Sequence, residues 1–494
     1  MRDEHLGWRW PALGLAGSLV VASAGSGLQG GGAGGWWYRL HFPFGHTTQA
    51  VIFYAGMAVL CAAWLGLGQR LQRSPRARPA GLIKIGVVWA LPLLAGPVLF
   101  SQDVYSYLAQ GTILHLGLSP YHDSPLVLAR FHQTHVIDAV APFWRATTAP
   151  YGPLFVGLVS LIVGVVGSNL ILGVLALRLL DLAGLGLLAV YLPRLARALG
   201  ADPSRATWLA VISPLVLLEL VSAGHNDAVM IGLLVAGVTL AVERRPLLGI
   251  AVCAIAATIK LPAAAGIVFI AVAWARDEPD RAPRIAAMAL AVAAPVFVAV
   301  SLATGLEFGW VSSRVFTTPA KVRLAITPVT NTAWTLRRLL HGVGINTTLP
   351  AIEAVLGRIA LALTAGLALL CSYRARYENL AYYLGGVLLV LVLTGPATWP
   401  WYLTWCLAFL AACPGPQRSR VLVLLIAASV FLVKPGGNLA IPLPDAPFVL
   451  GAYVLAGLAV WRHGKRRGAD TAQPPCGPQI AEEPPLITTP ELTR

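Results

Sequence analysis

The sequence predicts an all-α, polytopic transmembrane helix bundle, and three observations lead there. Of the 494 residues, 57% are hydrophobic and only 12% charged, too apolar a balance for a water-soluble chain of this length. Apolar runs of about 20 residues recur along nearly the whole chain, the length a helix needs to cross the hydrocarbon layer. Lipid offers backbone groups no hydrogen-bond partners, so such runs must be helical, and segments such as VLVLLIAASVFLV lack the alternation of a barrel strand. The formal net charge of +15 sits in short loops between the apolar runs, which is the pattern of topology signals rather than of a nucleic-acid surface.

Taken in order, residues 11–28 read as a first span, with a cleavable signal sequence as the alternative. A second span covers 48–68 and is followed by Arg70, Arg73, Arg76, Arg78 and Lys84, which the positive-inside rule assigns to the cytoplasm. A third, 85–100, then delivers residues 101–150 to the outer face as a long loop carrying short surface helices. Alternation continues with Arg194, Arg197 and Arg205 inside, His225 to Asp227 outside, a second outer loop at 304–348, and Trp399 to Tyr402 outside. Residues 1–468 form one transmembrane domain, and 469–494, rich in Pro and polar types, read as a disordered cytoplasmic tail. Residues 151–193 must cross an odd number of times yet look like two helices parted near Gly167 and Ser168, so a re-entrant or surface-lying piece is expected there, giving about 14 spans. The six cysteines show no CxxC spacing, which points to neither a disulfide framework nor a metal site.

Polar residues with chemical potential gather at the outer helix ends. In SQDVYSYLAQG, Gln102, Asp103 and Tyr105 follow the third span. A partly desolvated carboxylate there suits a general base, while helix capping by Ser101 or Asp103 is the alternative. The same loop holds Tyr121 and Asp123 in SPYHDSP, and Trp144, Arg145 and Tyr151 in WRATTAPYGPL. Aromatic faces beside polar groups suit a sugar ring, although for the aromatics alone interfacial anchoring is the favoured reading. Gly224, His225, Asn226 and Asp227 interrupt two apolar helices, either as a functional cluster or as a turn. Lys260, before Pro262, is a point charge suited to a lipid phosphate or a snorkelling lysine. Arg314, Lys321 and Arg323 add positive charge to the late outer loop, where topology disfavours it. Trp399, Trp401 and Tyr402 in TWPWYLTW are either an aromatic belt or a wall for an isoprenoid chain or sugar.

The ordered set SQDVYSYLAQG, GLSPY, PYGPL, GHNDA, KLP and TWPWYLTW, spread over residues 100–405, resembles the polyprenol-phosphate-mannose-dependent α-1,6-mannosyltransferases of the GT-C superfamily of membrane glycosyltransferases. The resemblance implies a polyprenyl-phosphate-linked mannose donor, a lipid-linked mannan acceptor such as a lipomannan core, and work on the periplasmic face of the plasma membrane. It also implies that Asp103 is the catalytic base. The shared outer sidedness of the other candidates leads us to expect inverting transfer, with Lys260 and Arg314, Lys321 or Arg323 on the departing phosphate and His225, Asn226 and Asp227 orienting Asp103 or the sugar. Gln102 stands where the superfamily often has a second acidic residue, which disfavours a metal cofactor. The rival class is a lipid-linked sugar flippase or transporter, for which Arg178 and Asp181, one turn apart in an apolar helix, are the support.

Overall fold

A computed structural model describes residues 7–28, 44–73, 77–306, 308–311 and 322–455. Arg314, Lys321 and the expected tail at 469–494 lie outside them. The described residues are helical, with no strand beyond an isolated bridge between Val433 and Leu439. The helices run α1 (Arg9–Gly25), α2 (His46–Arg73), α3 (Pro79–Ala95), α4 (Asp103–His115), α5 (Thr134–Ala139), α6 (Pro153–Val166) and α7 (Leu170–Ala198). They continue with α8 (Pro203–Ala210), α9 (Asp227–Val242), α10 (Pro246–Ala257), α11 (Ala264–Asp277), α12 (Ala282–Ala303), α13 (Pro328–Gly342), α14 (Leu349–Arg374), α15 (Leu380–Thr394), α16 (Leu403–Ala411) and α17 (Arg420–Ser429). A π-helical turn, Val216–Ser222, precedes α9.

Four of these helical segments are long and apolar enough to cross a membrane: His46–Arg73, Leu170–Ala198, Pro279–Ala303 and Leu349–Arg374. The π-helical turn and α9 make a fifth if taken as one span bent by 115°. The expected count of about 14 is therefore not reached among the described residues. Prolines and glycines divide the other apolar runs into shorter helices, such as α3 with 17 residues and α15 with 15.

The region around Gly167 explains part of the difference. Gly167 adopts φ +62° and parts α6 from α7, as its sequence suggested. The 14 residues of α6 reach only about 21 Å, short of the roughly 30 Å hydrocarbon layer, and α6 packs against α4. The expected 101–150 loop is not a surface appendage, because every residue of α4 from Val104 to Ile113 is buried. The 304–348 segment also contains a helix, α13, whose buried face carries Thr330, Asn331 and Ala333.

Small residues set the tightest helix contacts. α7 and α9 meet where the backbones of Gly184 and Gly232 touch, and α1 meets α2 at Gly17 and Gly56. Within lipid, where apolar burial gives no preference between helix and solvent, such close approach supplies much of the packing energy.

Candidate functional site

Three chain breaks converge to build the site. The first lies between α3 and α4, where Phe100 is held at φ +65°, a region costly for an aromatic residue. Its N–H donates to the Pro435 carbonyl (2.9 Å), which fixes the turn that aims Asp103. Asp103 opens α4, and Ser101 Oγ accepts its backbone N–H (3.1 Å). The carboxylate itself does not cap the helix. Its Oδ1 accepts from Trp144 Nε1 (3.0 Å), and its Oδ2 lies 3.9 Å from His225 Nε2.

The second break separates the π-helical turn from α9. Gly224 takes φ +74°, which lets the chain turn sharply and buries His225, Asn226 and Asp227 completely. His225 Nδ1 lies 2.6 Å from the Glu219 carbonyl oxygen, a contact that makes Nδ1 the protonated nitrogen and leaves Nε2 as the acceptor facing Asp103. The imidazole stacks on Trp401 at 4.1 Å, and Trp401 stacks on Trp399 at 4.6 Å. Both side-chain polar atoms of Asn226 are buried without a protein partner.

The third break follows α10, where Lys260 precedes the turn Leu261–Ala263. Lys260 Nζ bridges both carboxylate oxygens of Asp227 at 2.9 and 3.0 Å, and Trp405 Nε1 donates to Asp227 Oδ1 at 2.5 Å. The ammonium also lies over the rings of Tyr402 (4.7 Å), Trp405 (5.3 Å) and Tyr151 (5.8 Å). Such a cage of ring faces offsets the cost of taking a cation out of water. Tyr151 reaches it because Gly152 N–H donates to the Ile259 carbonyl (2.9 Å) and Leu154 N–H to the Thr258 carbonyl (3.1 Å). A Cβ on Gly152 would stand 2.2 Å from the Thr258 oxygen, so only glycine permits this approach.

Burial raises the Asp103 pKa to about 6; the nearby Asp227 charge adds to the rise, while Lys260 and the hydrogen bonds from Trp144 and Ser101 oppose it. A carboxylate tuned to this range is ionised at neutral pH yet basic enough to take a proton from a hydroxyl in a transition state.

The remaining sequence candidates divide. Gln102 is the half-buried residue before α4 and makes no capping bond. Tyr105 is buried beside Arg178. Tyr121 is an internal strut, its hydroxyl donating to the Tyr151 carbonyl at 2.9 Å. Arg145 ties its own loop by donating to the Val140 (2.9 Å) and Asp138 (2.8 Å) carbonyls. Asp123 lies in the turn after Tyr121, its N–H donating to the Ser119 carbonyl (2.8 Å), and no described contact joins it to Asp103. Arg323 is not brought to Lys260; it pairs with Glu353 at 2.9 Å and lines a different cleft.

Two contributors stood outside the expected set. Trp405, one helical turn beyond Trp401, holds Asp227, and its place at the end of TWPWYLTW was the available signal. Arg178 does not form an ion pair with Asp181. Its guanidinium donates to the carbonyls of Leu94 (2.7 Å), Gly96 (2.8 Å), Pro97 (2.8 Å) and Ser222 (2.5 Å). It thereby ties the segment before Asp103 to the segment before His225, which is a structural duty rather than a transport pathway.

An apolar groove of about 450 Å³ ends on this cluster. Lys260, Tyr402 and Trp405 form its head, and residues such as Leu261, Leu361 and Leu391 line its length between α11, α14 and α15. Among the described residues no group of three or more His, Cys, Asp or Glu is arranged to hold a metal ion.

The chain is similar to known proteins along most of its length. Residues 11–276 match the family model described as the N-terminal domain of alpha-(1->6)-mannopyranosyltransferase, and residues 326–462 match the MptB C-terminal domain. The chain is 32% identical over 495 residues to alpha-(1->6)-mannopyranosyltransferase A of Mycobacterium tuberculosis, covering 94% of this chain and 92% of that protein. It is 32% identical to a probable alpha-(1->6)-mannopyranosyltransferase of Mycolicibacterium smegmatis over 77% of this chain and 74% of the relative. To alpha-(1->6)-mannopyranosyltransferase A of Corynebacterium glutamicum it is 31% identical, over 54% and 60%. No solved structure matches. With both family models placed in order and a relative matched nearly end to end, the chain belongs to the alpha-(1->6)-mannopyranosyltransferase family and is a membrane glycosyltransferase.

Proposed function

We propose that the protein transfers mannose, with inversion, from a polyprenyl phosphate donor to the 6-hydroxyl of a lipid-linked mannan on the periplasmic face of the plasma membrane. The observation that supports this most directly is the place of Lys260, which lines an apolar groove and lies within electrostatic reach of Asp103. An isoprenoid chain suits the groove, and its phosphate suits the ammonium at the end.

In the reaction, Asp103 takes the proton of the acceptor 6-hydroxyl as that oxygen bonds to the anomeric carbon. The bond from that carbon to the phosphate oxygen breaks, and polyprenyl phosphate leaves with the electron pair. Lys260 stabilises the charge that develops on the phosphate, while Asp227 and Trp405 keep its ammonium in place. His225 Nε2 steadies the carboxyl once Asp103 is protonated. No divalent cation takes part in this scheme, because Asp227 is already committed to Lys260 and Trp405 and Asp103 has Gln102 rather than a second carboxylate beside it.

Purified protein in lipid or detergent, given radiolabelled polyprenyl phosphomannose and a lipid-linked mannan, should form labelled 1,6-linked product. Failure with this donor, together with transfer from a nucleotide sugar, overturns the reading.

A further inference from the structure

A second cleft of about 410 Å³ opens beside the same cluster, away from the Lys260 head of the apolar groove. Its walls include Phe143, Trp399, Arg323, Asn438 and Leu443. The chain that forms it is tied to the catalytic segment. Gly437, at φ +87°, presses against Ser101, where an added Cβ would stand 3.2 Å from the Ser101 Cα, and Pro435 accepts the Phe100 N–H.

Two short routes lead from this cleft to Asp103. Phe143 meets Trp144 edge to face at 4.8 Å, and Trp144 holds Asp103. Trp399 stacks on Trp401, which stacks on His225, whose Nε2 faces the other oxygen of Asp103. The second cleft is thus linked to the carboxylate through Trp144 and His225, whereas the apolar groove is linked to it through Lys260.

Their chemistry differs in the way two different ligands require. The first groove is apolar along its length with a cation at the end. The second combines ring faces with polar groups, and its one charged side chain, Arg323, is neutralised by Glu353 at 2.9 Å. A neutral ligand rich in hydroxyls, with C–H faces for the rings and oxygens for the amide and guanidinium, fits such a surface. Phe143 is 47% exposed, so its ring face is open to a ligand in the cleft.

Resting on the transferase reading above, we propose that this second cleft binds the acceptor glycan, with Phe143 and Trp399 stacking on the sugars behind the reacting one and Asn438 bonding their hydroxyls. The cleft thereby reads acceptor length, favouring chains long enough to reach it over a short primer.

The test uses the full-length protein with polyprenyl phosphomannose as donor and synthetic α-1,6-linked mannose disaccharide and tetrasaccharide as acceptors. Phe143→Ala and Asn438→Ala are both surface changes that leave the helical frame intact. The expected result is a tenfold or greater rise in KM for the tetrasaccharide, a donor KM within twofold of wild type, and loss of the preference for the longer acceptor. An unchanged acceptor KM in both variants, or a rise in the donor KM instead, overturns the assignment of the cleft while leaving the transferase reading standing. Wild-type protein that transfers mannose to neither acceptor nor to a lipid-linked mannan overturns the transferase reading and this assignment together.

Discussion

Replacing Asp103 by asparagine should remove activity and leave the fold at least as stable. Burial raises the Asp103 carboxyl from 3.8 to about 6 in the folded protein, which corresponds to about 3 kcal/mol of differential free energy. The folded pKa lies above the unfolded one, so the contribution to stability is fully present below about pH 4 and is lost as pH rises through about 6. Near neutral pH the ionised side chain therefore costs the fold something on the order of this energy, which a neutral amide of the same shape does not. The substituted amide can still accept from Trp144 through its carbonyl oxygen. Thermal unfolding followed near pH 7.5 should give Asp103→Asn a Tm equal to or above that of wild type, with the difference shrinking toward pH 5. Mannosyl transfer should fall by about 10² to 10⁴, the usual contribution of a general base. In wild type, transfer should drop about tenfold for each pH unit below 6, as the base becomes protonated. Retention of more than a tenth of wild-type transfer by Asp103→Asn, or a flat pH profile between 5 and 7, refutes the assignment.

Three further outcomes follow from the site. Asp227→Asn leaves the Lys260 ammonium largely buried without a counter-charge and should cost about 3–5 kcal/mol in detergent unfolding, much of it recovered in the double variant with Lys260→Met. Gly152→Ala should lower stability by about 1–3 kcal/mol through overpacking against Thr258 and should reduce transfer by separating Tyr151 from Lys260; a neutral result in both assays removes the close approach from the account. Chelation with EDTA should leave the transfer rate unchanged, and a loss restored by added magnesium or manganese would contradict the metal-free scheme.

The fold class was legible because lipid imposes one rule on every apolar run, whereas the number of spans was not. Hydropathy registers that a segment such as Pro79–Ala95 is apolar, but its length and its partners decide whether it crosses the membrane or stops short. The site was legible in outline for a similar reason. Asp103, His225, Asp227 and Lys260 are polar residues at breaks between apolar helices, where burial is costly without a compensating role. Their pairing was hidden, because Lys260 and Asp227 are 33 residues apart and meet only through the bend at Gly224 and the fit of Gly152 on Thr258. Arg178 drew attention for its charge, but its true partners are backbone carbonyls, which carry no signature in a sequence. Arg323 shows the converse: an outer-face arginine has the right charge for a phosphate, and Glu353, 30 residues on, has already claimed it.

α14, one wall of the apolar groove, has only Ile352, Ala360, Thr364 and Ser372 buried along its 26 residues. Little of that helix is covered by protein, so the groove it walls lies at the periphery of the bundle. The polyprenyl phosphate donor proposed above would therefore not have to be lifted from the bilayer to reach Lys260; it would enter sideways, reacting end first, with the rest of its tail still dissolved among neighbouring acyl chains. Recognition then falls on the phosphate and the first isoprene units, and prenyl chains of quite different lengths should serve as donors at similar rates.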